Sequence, residues 1–301
     1  MNNYKSFSTT VIGISHTKHD KECQDHSLHY TSNDVALAVV SDGHGADECF
    51  RSAKGAEIAA NCAAKGIKEF ISTINERKKR CVKRKQDVPL QEEFEKLLRS
   101  NIKHIAASWH NEIEHHYTKN PFSKSELEIA GEKYSESFAA GKEMYKAYGA
   151  TLIACALTDD YWFGIHIGDG RLTALYKDGS YDQPVPWDER CFLNVTTSIC
   201  DDDAAQRARV YYCPKAKKEL PLAVFLCSDG IDDNYPVEDN DKHLFKLYST
   251  ILQTFAEDGF DSTCDQIHDL ANSFATKGKG DDTSIAGFID MEAVKKGVQN
   301  P

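Results

Sequence analysis

Four short segments carry the aspartates that could do chemistry in this 301-residue chain: Cys23-Gln24-Asp25, Ser41-Asp42-Gly43-His44-Gly45, Cys227-Ser228-Asp229-Gly230 and Gly280-Asp281-Asp282-Thr283-Ser284. Each sets a carboxylate at the end of, or just after, a short apolar run, where a strand would deliver side chains to a common rim. Clustered acids repel one another unless something offsets the charge, and oxygen-seeking divalent cations do so. Asp42 has two carboxylate oxygens and can hold one cation on each, as a bridging ligand. Gly43, without a Cβ, lets its carbonyl approach a cation closely. His44, with an ordinary pKa of about 6.5, can give a proton to a departing alkoxide at neutral pH. Asp229 and Asp281 repeat the pattern of a carboxylate beside glycine at a strand end. Taken singly, each segment reads equally as a turn, because Asp and Gly dominate turns. Their recurrence beside apolar runs is what points to a site. Mg²⁺ or Mn²⁺ suits such ligands, whereas zinc lacks a His/Cys set at ligand spacing.

The elements that must position these residues follow from periodicity. Thr9–Ser15 and Val35–Val40 are rich in β-branched and small apolar residues and are predicted strands, the second running into Asp42. From Ala46 the spacing turns helical, with Ala53, Ala56, Ala59, Ala60, Ala63 and Ala64 on one stripe. Asp47 and Glu48 suit the positive end of that helix. Phe94, Leu97, Leu98, Ile102, Ile105 and Ala106 form a second stripe, and a third helix is expected before Gly149. Further strands are predicted at Ala150–Leu157, Tyr161–Ile167, Arg171–Tyr176, Leu222–Cys227 and Thr283–Ile289, with helices near 241–256 and 262–276. This pattern predicts one α+β domain over 1–301, with an extended helical segment at about 46–147.

Composition excludes several classes. The apolar share of 41% and charged share of 28% describe a globular chain. A net charge of −11 disfavours sequence-blind contact with nucleic acid or an anionic membrane. No apolar stretch approaches the ~20 residues of a membrane span, and Met1-Asn-Asn-Tyr-Lys lacks a signal-peptide core. The ten cysteines are scattered without a C-x-x-C pair, so a reduced, cytoplasmic protein is expected. Arg77 to Lys85 holds seven basic residues in nine, which reads as a solvated surface or as a docking site for acidic partners.

In order and wording the segments resemble the PP2C (PPM) family of serine/threonine phosphatases, most closely a mainly bacterial subgroup. The resemblance runs from about residue 11 to 289 and rests on Gln24-Asp25, Asp42-Gly43-His44-Gly45, Gly149-Ala150-Thr151, Gly168-Asp169-Gly170-Arg171, Ser228-Asp229-Gly230-Ile231-Asp232-Asp233 and Asp281-Asp282. It implies an α-β-β-α sandwich of two antiparallel sheets flanked by helix pairs. It also implies a binuclear Mn²⁺ or Mg²⁺ centre held by Asp42, Asp229, Asp281 and the Gly43 carbonyl. Asp25 would bond metal-bound water, Asp169 and Asp233 would match a looser third-metal position, and His44 would be the general acid. The implied reaction is hydrolysis of phosphoserine or phosphothreonine, a water shared by two cations attacking phosphorus in line. The expected partner is a phosphorylated protein, met by a monomeric signalling enzyme. No C-x5-R stretch provides for a cysteine phosphatase.

The chain departs from the pattern in places. Many members carry an arginine shortly before the first acidic pair, but here the first arginine is Arg51. His16, Lys18 and Lys21 are the cationic candidates there, with His16 the one expected near the substrate phosphate. Gln24 replaces the commoner Glu, removing a charge, and Gly170 replaces the usual Ser, a change expected to matter little. The missing arginine also supports a second reading, a catalytically inactive relative used as a regulatory binding module. A phosphoesterase of the G-D-x-x-D-R-G and G-N-H-E type is not supported, because those motifs are absent.

Overall fold

The strands at the centre of this chain bury both faces. A computed structural model describes residues 3–84, 91–191, 195–236 and 239–299. In chain order the strands are β1 Tyr4–Val11, β2 Asp25–Thr31, β3 Ala36–Asp42, β4 Leu152–Leu157, β5 Tyr161–Ile167, β6 Arg171–Leu175, β7 Tyr181–Asp182, β8 Arg209–Pro214, β9 Ala223–Cys227 and β10 Thr283–Asp290. The helices are α1 Ile14–Lys18, α2 Ser52–Arg84, α3 Gln91–Lys119, α4 Lys124–Ile129, α5 Glu132–Ala139, α6 Ala204–Arg207, α7 Asp229–Asp232, α8 Asn240–Asp258, α9 Phe260–Lys277 and α10 Met291–Gln299, with 3-10 turns at Asp47–Cys49 and Met144–Tyr148. Two antiparallel sheets result, ordered β1-β10-β9-β6-β7 and β2-β3-β4-β5-β8.

The burial pattern explains why β3 and β9 are apolar at every position. On β3, Ala36, Ala38 and Val40 face the other sheet while Val35, Leu37 and Val39 face the helices on the outside. On β9, Val224 and Leu226 join the intersheet core, and Ala223, Phe225 and Cys227 pack under α8 and α9. Side chains alternate between faces along a strand, so a layer covered on both sides needs apolar residues throughout. The alanine stripe of α2 lies on the outer face of the second sheet, small side chains letting helix and sheet approach closely.

Three boundaries differ from the sequence reading. The first strand is Tyr4–Val11, and Ile14–Lys18 is a helix where strand was expected. The chain leaves the sheet at Gly13, where a Cβ would stand 2.4 Å from the Gly280 carbonyl oxygen. The helix expected from Ala46 begins at Ser52, and Asp47 and Glu48 sit in the preceding 3-10 turn. The third helix before Gly149 is two short helices, α4 and α5, followed by a 3-10 turn. Lys85, which ends the basic run, lies outside the described residues.

Gly170 has a reason to be glycine. A Cβ there would lie 2.3 Å from the backbone oxygen of Cys227, because β6 and β9 close on each other at this point. Gly170→Ser is therefore expected to destabilise the fold by about 1–3 kcal/mol through overpacking, read as a lower midpoint in urea unfolding. An unchanged midpoint would mean that the two strands part freely here.

Candidate metal centre

One register brings the first two acids together. Asp25 opens β2, Asp42 closes β3, and the two are direct partners across the ladder. The strand end is fixed from β4, since the Thr151 hydroxyl accepts from the Asp42 N–H at 3.0 Å and the Thr151 N–H donates to the Asp42 carbonyl at 2.7 Å. Gly43 follows in a gap too narrow for a side chain, where a Cβ would meet Gln24 and Ser52 backbone at 2.7 Å. From the other sheet comes Asp229, immediately after β9. Ser228 reaches across and donates its hydroxyl to Asp25 at 2.7 Å, while the second Asp25 oxygen is buried without a partner. Gly230 closes the seam to the last motif, its Cα lying so near Asp282 that a Cβ would sit 2.0 Å from that carbonyl oxygen.

The electrostatics follow from this crowding. Asp42 and Asp229 share a hydrogen bond, which two carboxyl groups can do only if one keeps its proton. Burial pushes Asp25 up to about 8, with Asp282 and Asp229 adding to it. Burial and the charges of Asp169 and Asp281 push Asp229 up to about 7. Asp42 stands well above the usual carboxylate range, through burial and then Asp25, Asp229 and Asp169. Asp169 and Asp281 are raised mainly by burial, and Asp233 acts on both. The six expected acids therefore feel one another's charge. His44 is nearby in the chain but stands apart electrically. Its ring is buried, which holds it down to about 4, and its charged neighbours are Glu48 and Lys146 rather than the aspartates. Gly149 makes room for it, since a Cβ there would lie 2.6 Å from the imidazole.

Sequence reasoning missed two aspartates that hold the rim in place. Asp282 is buried and accepts from the Gly13 N–H at 2.7 Å and the Gln24 N–H at 2.6 Å, tying down the loop ahead of Asp25. His16 sits on α1 with Nδ1 2.8 Å from Asp282 and Nε2 4.0 Å from Asp281. Asp232 is buried against Arg171 at 2.7 Å, and Arg171 also donates to the Asp169 carbonyl. Asp232 nevertheless stands up at about 8, because burial and three neighbouring aspartates outweigh the guanidinium. The signal available was the doubling itself. In Asp232-Asp233 and in Asp281-Asp282, one member is buried and its twin is exposed.

Hard divalent cations fit this donor set. Among the described residues no three His, Cys, Asp or Glu side chains close around a single point, which argues against a zinc-like cage. Mg²⁺ and Mn²⁺ need less, taking one or two carboxylates and a carbonyl while keeping waters. The unpartnered Asp25 oxygen and the proton shared by Asp42 and Asp229 mark where positive charge is wanted.

A stability prediction follows. Asp25 and Asp229 bind protons more tightly folded than unfolded, so between the ordinary 3.8 and about 8 the folded state holds more protons. Stability of the metal-free protein therefore falls as pH rises through that window. Its melting temperature is expected to drop from about pH 5 to about pH 8, and Mn²⁺ is expected to restore more at the higher pH. Calorimetry in EDTA and in Mn²⁺ checks this; a melting temperature that rises with pH in EDTA sinks it.

Comparison with known proteins adds the relatives. The family model described as Protein phosphatase 2C matches residues 12–270. Among solved structures, a bacterial serine phosphatase aligns with a TM-score of 0.55 at 14% identity, covering 94% of this chain and 96% of that one. The serine/threonine phosphatase Stp1 from Staphylococcus aureus aligns at 0.53 and 16%, covering 95% and 94%. The S. agalactiae serine/threonine phosphatase aligns at 0.52 and 16%, covering 95% and 99%. Their arrangement of two antiparallel sheets with flanking helices is the one described above. No curated protein matches by sequence.

Proposed function

The chain belongs to the protein phosphatase 2C family, and we propose that it is a Mn²⁺- or Mg²⁺-dependent protein phosphatase acting on phosphoserine or phosphothreonine. The observation that carries this reading is the buried carboxylate cluster in which Asp42 and Asp229 share one proton. Such an arrangement is unfavourable for a fold unless a cation completes it.

In this reading Asp42, Asp229, Asp281 and the Gly43 carbonyl would hold two cations, with Asp25 reaching them through water. Asp169 and Asp233 would serve a third, looser position. When bound, the cations supply a water acidified towards neutral pH and positive charge for the phosphoryl oxygens. The chain's own residues orient the rest. Ser228 fixes one oxygen of Asp25 and leaves the other for a cation's water. Asp282 holds the loop bearing His16, where that histidine would meet the substrate phosphate. His44 would protonate the departing serine or threonine oxygen. A soluble signalling role in the cytoplasm accords with this, and no helix among the described residues is long and apolar enough to cross a membrane.

One observation favours the alternative of a binding module: His44 is held neutral by burial, on a chain with no arginine ahead of Asp25. Phosphate release from phosphothreonine peptides, in Mn²⁺ or Mg²⁺ and in EDTA, separates the two. Turnover that needs the cation is expected. A folded, Mn²⁺-binding protein without turnover would move the assignment to the binding module.

A further inference from the structure

A cleft of about 830 Å³ opens beside the aspartate rim, with Asp169, Asp229 and Asp233 along one wall. Its floor is made by His166 of β5 and Arg209 of β8, which are direct partners across the ladder. Residues so paired put their side chains on one face, about 5 Å apart. That face looks between the sheets, since Trp162 and Cys213, of the same parity on the two strands, lie in the intersheet core. Leu172, Val185 and Trp187 supply apolar walls.

The floor has donors that the protein does not answer. His166 is 3% exposed, and neither ring nitrogen has a partner. Burial and the charges of Arg209 and Arg171 hold its pKa well below the usual range, so it enters as a neutral ring with one N–H. Arg209 donates its two terminal nitrogens to the Gly168 and Pro186 carbonyls, but its Nε–H is buried without a partner. The nearest carboxylate, Asp188, stands 3.6 Å from that nitrogen and is held by two hydrogen bonds, each 2.7 Å, from Arg190. One carboxylate thus faces two guanidinium groups. Arg171 is already matched by Asp232, so this end of the cleft keeps an unanswered positive charge beside two unanswered donors.

We propose that the cleft is a specificity pocket that takes the carboxylate of an acidic side chain close to the phosphorylated residue of the substrate, accepting from Arg209 Nε and from His166. The proposal rests on the phosphatase reading. Because cleft and rim share Asp169 and Asp229, a residue neighbouring the phosphoresidue is within reach, one extended residue spanning about 3.5 Å.

The test uses phosphothreonine peptides with Glu or Gln at each flanking position in turn. Hydrolysis is measured in Mn²⁺, and affinity is measured separately by anisotropy of labelled phosphonate analogues, which cannot turn over. At one position the Glu peptide is expected to bind about tenfold tighter than its Gln twin. That preference should be lost in His166→Leu and in Arg209→Met, the first of which leaves the loop contacts of Arg209 in place. Equal affinity of Glu and Gln peptides at every position overturns the proposal, as does a preference that survives both substitutions. Hydrolysis of p-nitrophenyl phosphate, too small to need the pocket, reports on the phosphatase reading alone. Its absence together with a Glu preference would count against the enzyme while leaving the pocket standing.

Discussion

Asp42→Ala is expected to reduce metal-dependent phosphate release by more than about a thousandfold while leaving the metal-free protein folded and no less stable. The activity loss follows from position. Asp42 is the acid at which the two sheets' contributions meet, partnered with Asp25 in register and hydrogen-bonded to Asp229. Removing supporting groups around a metal costs about ten- to a hundredfold, and a bridging ligand exceeds them. The stability half follows from charge. Deleting one member of a cluster in which Asp25, Asp42 and Asp229 are all raised relieves repulsion instead of breaking a bond. In EDTA the variant should melt at or above the wild-type temperature, and Mn²⁺ should no longer raise it. Wild-type protein at a hundredfold excess of Mn²⁺ over its Kd should gain about 2.7 kcal/mol. A variant that keeps both turnover and the Mn²⁺ increment would remove Asp42 from the proposed centre. One that melts early in EDTA would make Asp42 a structural residue.

How much of this was legible in the sequence divides along a physical line. The strands read correctly, β3, β4, β5, β6, β9 and β10, are interior to their sheets, where burial on both faces demands continuous apolar runs. Those missed or misplaced are edges: β1, β2, β7 and β8. An edge strand such as Asp25–Thr31, half-buried and carrying two histidines, keeps its polarity because one side meets water, and so loses the signal that periodicity relies on. The acids divide similarly. Residues of the exposed kind, Asp233 and Asp281, sit in motifs and were noticed, whereas the buried twins Asp232 and Asp282 have roles set by partners far along the chain. Asp282 answers Gly13 and Gln24, more than 250 residues away, and no local spacing encodes that. The cleft floor was illegible for the same reason. His166 and Arg209 meet only because β8 pairs with β5, and β8 was among the strands not foreseen.

His44→Ala should separate substrates by leaving group. On a phosphothreonine peptide the departing alkoxide is a strong base, and losing its proton donor is expected to cost about a hundred- to ten-thousandfold. On p-nitrophenyl phosphate the phenolate leaves unaided, and the same substitution should cost little. The structure makes this a demanding test, because burial holds the free imidazole near 4, with Lys146 pulling it down and Glu48 partly opposing. A ring that releases its proton so easily must regain one before it can donate. The incoming phosphate dianion provides the means, since a nearby negative charge favours the charged imidazolium and an opposite charge at close range shifts a buried group by units. On this account the substrate charges its own acid, and neither the free protein nor a neutral analogue has it ready. Equal losses on the two substrates would mean that His44 serves the site by packing against Gly149, and the proton would then have to come from water.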